Sequence, residues 1–166
     1  MPTDLLSYWG EENLRKLSRA SLANISIPQT AKEFLERVGL PVIDDPLFRF
    51  VPDAHPFLLL DKARCYRRVG VFDSSPICVQ EGEGGVYWYD EENHAAKFMN
   101  STLETFALLL TQYQQMLVES RSASHAERRR IVSESEEQMR SIDPAAFANE
   151  ESYWPVVFEQ IGYELS

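Results

Sequence analysis

The feature that most constrains this chain is a change of hydrophobic period along it. Between Leu47 and Phe98 the apolar residues come in short runs: LFRFV, FLLLD, ARCYRRVGVF, PICVQ and GVYWYD. These runs are rich in aromatic and β-branched side chains, and turn formers such as Pro52, Asp73, Gly82 and Gly84 separate them, which is the pattern of strands. On both flanks the period is helical. Leu5, Leu6, Trp9, Leu14 and Leu17 make a rough stripe that reads as a helical lead-in. Ala31, Phe34, Leu35 and Val38 recur at helical spacing between Pro28 and the Gly39–Pro41 stop, which predicts a helix over 28–38. Helices, then strands, then helices define an α+β fold. The links between strands are too short for parallel crossovers, so we expect a central antiparallel sheet of about five to six strands flanked by helices.

The strands run into the second helical region at KFMNSTLETFALLLTQY, Lys97 to Tyr113. Phe98 and Met99 end a strand, and Ser101 with Glu104 has the spacing of a capping box. Leu103, Phe106, Ala107, Leu110, Tyr113 and Leu117 then share one helical face, which should fold back over the sheet. The polar stretch 123–140 repeats the capping spacing at Ser124 and Glu127, and Glu136 precedes Arg140 by one helical turn. Its few apolar positions, Ile131, Val132, Met139 and Ile142, leave it as an outer helix or a partly mobile segment. Asp143 before Pro144 starts a turn, and Tyr153, Trp154, Val157, Phe158 and Ile161 line a last helix. With no internal repeat or linker, the reading is one domain over 1–166, a lead-in at 1–27 and a main body at 28–162.

Charge narrows the partners. Acidic residues number 26 against 16 basic, for a formal charge of -10. Such a surface repels nucleic acid and anionic membranes and would attract a basic protein, although solubility alone is the commoner reason for an acidic surface. The opening MPTDLLSYWG lacks a basic stretch followed by an apolar one, and no run approaches a membrane span, so the expectation is cytoplasmic. Cys65 and Cys78 lie in strand-like runs, either as buried free thiols or as one bridge between neighbouring strands.

Chemistry-bearing patterns are sparse. His55, His94 and His125 are scattered without metal-ligand spacing, and only His94 has carboxylates, Asp90 and Glu91, close enough in sequence for an acid–base pairing. A solvated turn explains that group better. EGEGG precedes a strand rather than a helix, and Glu81 and Glu83 would repel a phosphate, so it reads as a hairpin turn. Asp44–Asp45 reads as an exposed turn rather than a cation site. No catalytic residue, metal ligand or cofactor site is assigned. What remains is a surface. Residues 81–92 hold Glu81, Glu83, Asp90, Glu91 and Glu92 with no Lys or Arg, around Tyr87, Trp88 and Tyr89. Strand alternation sends Val86 and Trp88 to one side and Tyr87 and Tyr89 to the other. Either all three rings pack under the helices, or rings beside carboxylates suit the Arg and Lys of a partner; on the second reading Glu81, Glu83, Tyr87, Tyr89, Asp90, Glu91 and Glu92 are the candidate partner-binding residues.

Four segments in order, FLERVGLP, ICVQEGEGGVYWYD, KFMNSTLETFALLLTQY and DPAAFANEESYW, resemble the SUKH superfamily, and within it the fourth subfamily. The matching stretch runs from about Phe34 to Trp154. The resemblance implies an α+β fold built on an antiparallel sheet, no enzymatic activity and no cofactor. It further implies an immunity protein of a polymorphic toxin system, which binds and blocks a cognate toxin such as a nuclease or nucleic-acid deaminase. The alternative it leaves is a regulatory adaptor of the same fold with an endogenous protein partner.

Overall fold

The structure, a computed structural model, describes residues 4–46, 48–53, 58–61 and 64–165. Expectations that touch Leu47, His55 or Phe57 lie outside the described residues. The chain begins with α1 (Leu5–Trp9), β1 (Leu14–Arg15), α2 (Arg19–Leu22), α3 (Gln29–Arg37) and β2 (Leu40–Pro41). The strand region supplies β3 (Ile43–Asp45), β4 (Phe48–Pro52), β5 (Leu58–Asp61), β6 (Arg64–Phe72), β7 (Ser75–Gln80), β8 (Val86–Asp90) and β9 (Ala95–Asn100). Then come α4 (Leu103–Ser120), α5 (His125–Ile142) and α6 (Tyr153–Glu164), with 3-10 turns at Glu11–Asn13 and Pro144–Phe147.

The expected α+β fold is present. Among the described residues its main sheet has seven strands in the order β3-β4-β6-β7-β8-β9, with β5 also paired to β6, and every pairing is antiparallel. β1 and β2 form a separate small pair. The count exceeds the expected five to six partly because Asp44–Asp45 is strand rather than turn. Buried Ile43 ladders with Phe50, and the Asp45 carboxylate is held by Arg121 from beyond the end of α4. The helical lead-in is also shorter than its stripe implies. α1 stops at Gly10, Leu14 enters β1, and Leu6 is left exposed. Gly39 closes α3 as expected, at φ +88, where an added Cβ would meet the Arg15 carbonyl oxygen at 2.6 Å.

One face of the sheet carries the main core. Val69, Ile77, Val79, Val86 and Met99 join Leu35, Leu40, Phe106, Leu110, Met139 and Trp154 in a single buried cluster drawn from strands and helices. Each such side chain is worth roughly 1.5–3 kcal/mol when fully buried. As expected, α4 supplies Leu103, Phe106, Ala107 and Leu110 to this core. The polar segment is an ordered outer helix, α5, packed on α4 through buried Met139 and Ser135. Its capping box at Ser124–Glu127 and its Arg140–Glu136 pair at 2.7 Å both form.

At the junction of β9 and α4 the capping box shifts by one residue. Thr102 is the N-cap and Thr105 the reciprocal partner, in place of Ser101 and Glu104. Ser101 is unavailable because Asp143 takes both its backbone N–H (2.8 Å) and its hydroxyl (2.8 Å). The same carboxylate, only 3% exposed, also accepts from Asn100 Nδ2 (3.0 Å) and Thr105 Oγ1 (2.9 Å). Trp154 Nε1 donates to Asn100 Oδ1 at 3.0 Å. Burial pushes the Asp143 carboxyl up, but these donors outweigh it and hold the group below the usual carboxylate range. The knot ties strand, α4, the 3-10 turn and α6 together. Among the described residues, no helix is long and apolar enough to cross a membrane.

Candidate partner-binding surface

The residues singled out in 81–92 lie on and around β8, whose register fixes which way each one faces. Residues directly opposed in an antiparallel pair share a side of the sheet. Ile77 opposes Trp88 and Val79 opposes Val86, and all four belong to or pack on the helix-covered core. Cys78 opposes Tyr87, which in turn opposes Phe98, so these three lie on the other side. The expected split of Val86 and Trp88 from Tyr87 and Tyr89 is therefore present. On that other side, the buried cluster of Tyr66, Cys78 and Tyr89, with Leu59, Tyr87 and Ala96 packed against it, comes from strands alone.

An aromatic row crosses this face, which is free of helices among the described residues. Tyr66 lies 5.9 Å from Tyr89 and 5.2 Å from Tyr87, and Tyr87 lies 5.5 Å from Phe98, ring centre to ring centre. The Tyr66–Tyr87 and Tyr87–Phe98 pairs are edge-to-face, a geometry that adds about 0.5–1.5 kcal/mol each beyond area burial. Tyr87 is half-buried at the surface of the row. Burial raises its phenol pKa, with Tyr66 and Glu83 adding to the rise and Arg64 opposing it. Arg64 is exposed and hydrogen-bonds Tyr66. Arg68 is tied to Asp53 at 2.6 Å. Cys65 and Cys78 are free thiols, and burial pushes Cys78 up to about 12.

The candidate residues do not form one patch. Tyr89 is 1% exposed, so its ring supports Tyr66 from below instead of offering itself to a partner. Glu81 ion-pairs with Arg67 at 2.6 Å. Arg67 opposes Val79, so this pair belongs to the helix-covered side and away from Tyr87. Asp90 is spent on its own turn, accepting from the Glu92 and Asn93 amides (3.0 and 3.1 Å) and from Asn93 Nδ2 (2.7 Å). These bonds, the Asn93 side chain first, lower its pKa. His94 closes that turn at φ 49, and no hydrogen bond joins it to Asp90 among the described residues. Glu83, Glu91 and Glu92 are exposed and engaged by no ion pair among the described residues. They stand at opposite ends of β8, about 17 Å apart for a five-residue strand.

The β7–β8 turn leans on α3. Gly82 N–H donates to the Ser26 carbonyl at 2.9 Å, and a Cβ on Gly84 would meet Pro28 Cγ at 2.7 Å. Glu83 thereby lines a cavity of about 130 Å³ together with Pro28, Phe34 and Glu104. Reading from sequence missed Tyr66 and Phe98 beside Tyr87. The alternation in ARCYRRV carried a signal for Tyr66, but nothing local tells which strand lies next to β8. It also missed the knot around Asp143. Asn100, Ser101, Asp143 and Trp154 all lie in the segments that carry the family resemblance, and their partners here are structural.

The comparisons bear on this directly. The family model described as SUKH-4 immunity protein matches residues 2–160. The chain belongs to the SUKH-4 immunity protein family. No curated protein and no solved structure matches it. The strand-to-helix knot and the β7–β8 hairpin both fall within the span matched to that family.

Proposed function

We propose that this chain neutralises a toxin encoded beside it by binding the toxin's active domain, without chemistry of its own. The family match over 2–160 is the observation that carries this reading. The formal charge of -10 and the exposed Glu83, Glu91 and Glu92 favour a basic partner, as a nuclease or nucleic-acid deaminase would be. In this reading the acidic surface accelerates encounter, and the row led by Tyr87 supplies the dry centre of the interface. Tyr89 supports that row from below, and Asp90 holds the turn at its end. The work is done in the cytoplasm, where the toxin would otherwise act on its producer or neighbour.

The test is co-expression with the protein encoded by the adjacent gene. Rescue of growth together with a complex that survives gel filtration is the expected result. Failure of both, or rescue with no complex, counts against direct binding.

A further inference from the structure

The cavity at Glu83 does not stand alone. It adjoins a second, of about 530 Å³, between α1, α3 and α4, and a third, of about 400 Å³, between α4 and α5. Glu104 borders all three, Thr30 and Phe34 border the first two, and Leu108 borders the last two. The third lies on the α5 side of Glu104 and Leu108, and the first two form one groove on the α3 side of α4 from Leu103 to Leu108, about 9 Å at 1.5 Å per residue. Its floor is apolar: Pro28, Phe34, Val38 and Leu108 are all half-buried there.

Its rim is acidic. Asp4, Glu33, Glu83 and Glu104 face the groove, and among its described lining residues Arg37 is the one cation. Asp4 is spent on capping α1, and Glu33 accepts one bond from Gln29. Glu83 and Glu104 have no such bond among the described residues. The amino end of α4 opens on the same groove and would by itself favour an anion. With Glu104 in that first turn and Glu83 across from it, an anion would meet two carboxylates instead. An apolar floor under an acidic rim fits an amphipathic segment bearing Lys or Arg, laid along a helix-lined groove.

We infer that this groove seats a lysine- or arginine-bearing amphipathic segment of the toxin, with a cationic side chain held between Glu83 and Glu104 and apolar anchors on Phe34 and Leu108. This rests on the reading above and extends it. It adds a contact, continuous with the β7–β8 turn through Glu83, that lies off the helix-free face of the sheet.

The test compares two double reversals with the same change of charge, Glu33→Lys/Glu104→Lys in the groove and Glu150→Lys/Glu151→Lys away from it. Binding kinetics to the toxin domain encoded beside the chain are measured near 0.15 M salt. The groove variant should dissociate about tenfold faster or more, as loss of a seated contact does. The control should dissociate at the wild-type rate. Equal dissociation rates for both variants and wild type, or equal slowing of association alone, would overturn the inference while leaving the immunity reading in place.

A second arm needs no toxin. The ¹⁵N-labelled full chain is titrated with a synthetic amphipathic Leu/Lys peptide. Amide shifts should concentrate at Thr30, Phe34, Glu104 and Leu108 and vanish in the groove variant. Shifts centred elsewhere, or self-association of the chain through this groove in place of peptide binding, overturn the inference. A wild-type chain that binds the peptide in the groove but ignores the toxin fails the immunity reading alone.

Discussion

On one face of the sheet Trp154, Phe106 and Phe50 are sealed by helices and locked by a buried carboxylate. On the other, Tyr66, Tyr87, Tyr89 and Phe98 seal mainly one another. Both faces bury aromatic rings, and the first also holds a buried polar knot around Asp143. A sheet face covered by helices can hold rings at 0% exposure and specify one packing. The face made by strands leaves Tyr87 half-exposed, within electrostatic reach of Arg64 and Glu83. We propose that the first face is the seat of stability, and that the second, together with the groove in the helical layer, serves recognition.

The largest effect that separates the two faces is on stability. Trp154→Ala should cost about 3–5 kcal/mol by urea unfolding, because it empties a fully buried site and orphans Asn100 Oδ1. A loss below about 1 kcal/mol would mean that the helical side is not the stabilising one.

The carboxylate comes next. Asp143→Asn should cost about 2–3 kcal/mol near pH 7, since its donors lose a charged acceptor. The sign of its pH dependence follows from its lowered pKa. The folded group titrates below the unfolded value of about 3.9, so its contribution is complete above that pH and is lost as pH falls through the folded pKa. The urea midpoint of the wild type should therefore drop on the acid side more steeply than that of Asp143→Asn. Parallel acid limbs would remove Asp143 from the explanation.

Tyr87→Ala reverses the pattern. It should weaken toxin binding by about 2 kcal/mol, as loss of a central ring does, while costing only about 1 kcal/mol of folding stability. A loss confined to stability would make the aromatic row a second core and nothing more. The smallest effect belongs to the β8–β9 turn. Glu91→Lys/Glu92→Lys should leave stability within about 0.5 kcal/mol and slow association several-fold at low salt. An unchanged association rate there would remove this end of β8 from the interface. Asp90 is left intact in that variant because its carboxylate builds the turn.

The fold was largely legible because period survives in sequence. The alternation in GVYWYD told which rings share a side, and the stripe in LETFALLLTQY told which face of α4 is buried. Boundaries were less legible where a distant residue intervenes. Nothing near Ser101 announces that Asp143, forty-two positions away, will take its hydroxyl and move the cap to Thr102. The candidate site was legible in residue type and poorly in geometry. Five carboxylates within 81–92 look like one patch on paper, but β8 holds them at two ends, Arg67 neutralises Glu81, and Asp90 faces its own backbone. The groove was invisible, because Glu33, Glu83 and Glu104 meet only once α3, the β7–β8 turn and α4 have packed.

We propose that this chain acts by occupying its partner and leaves the partner chemically unchanged. Titrating the toxin's activity with the purified chain tests it most directly. Inhibition should grow linearly to a fixed molar equivalence and stop there, and toxin recovered by denaturing the complex and refolding should be fully active with an unaltered mass. Inactivation of many toxin molecules by one copy of this chain, or a recovered toxin of changed mass, would contradict it.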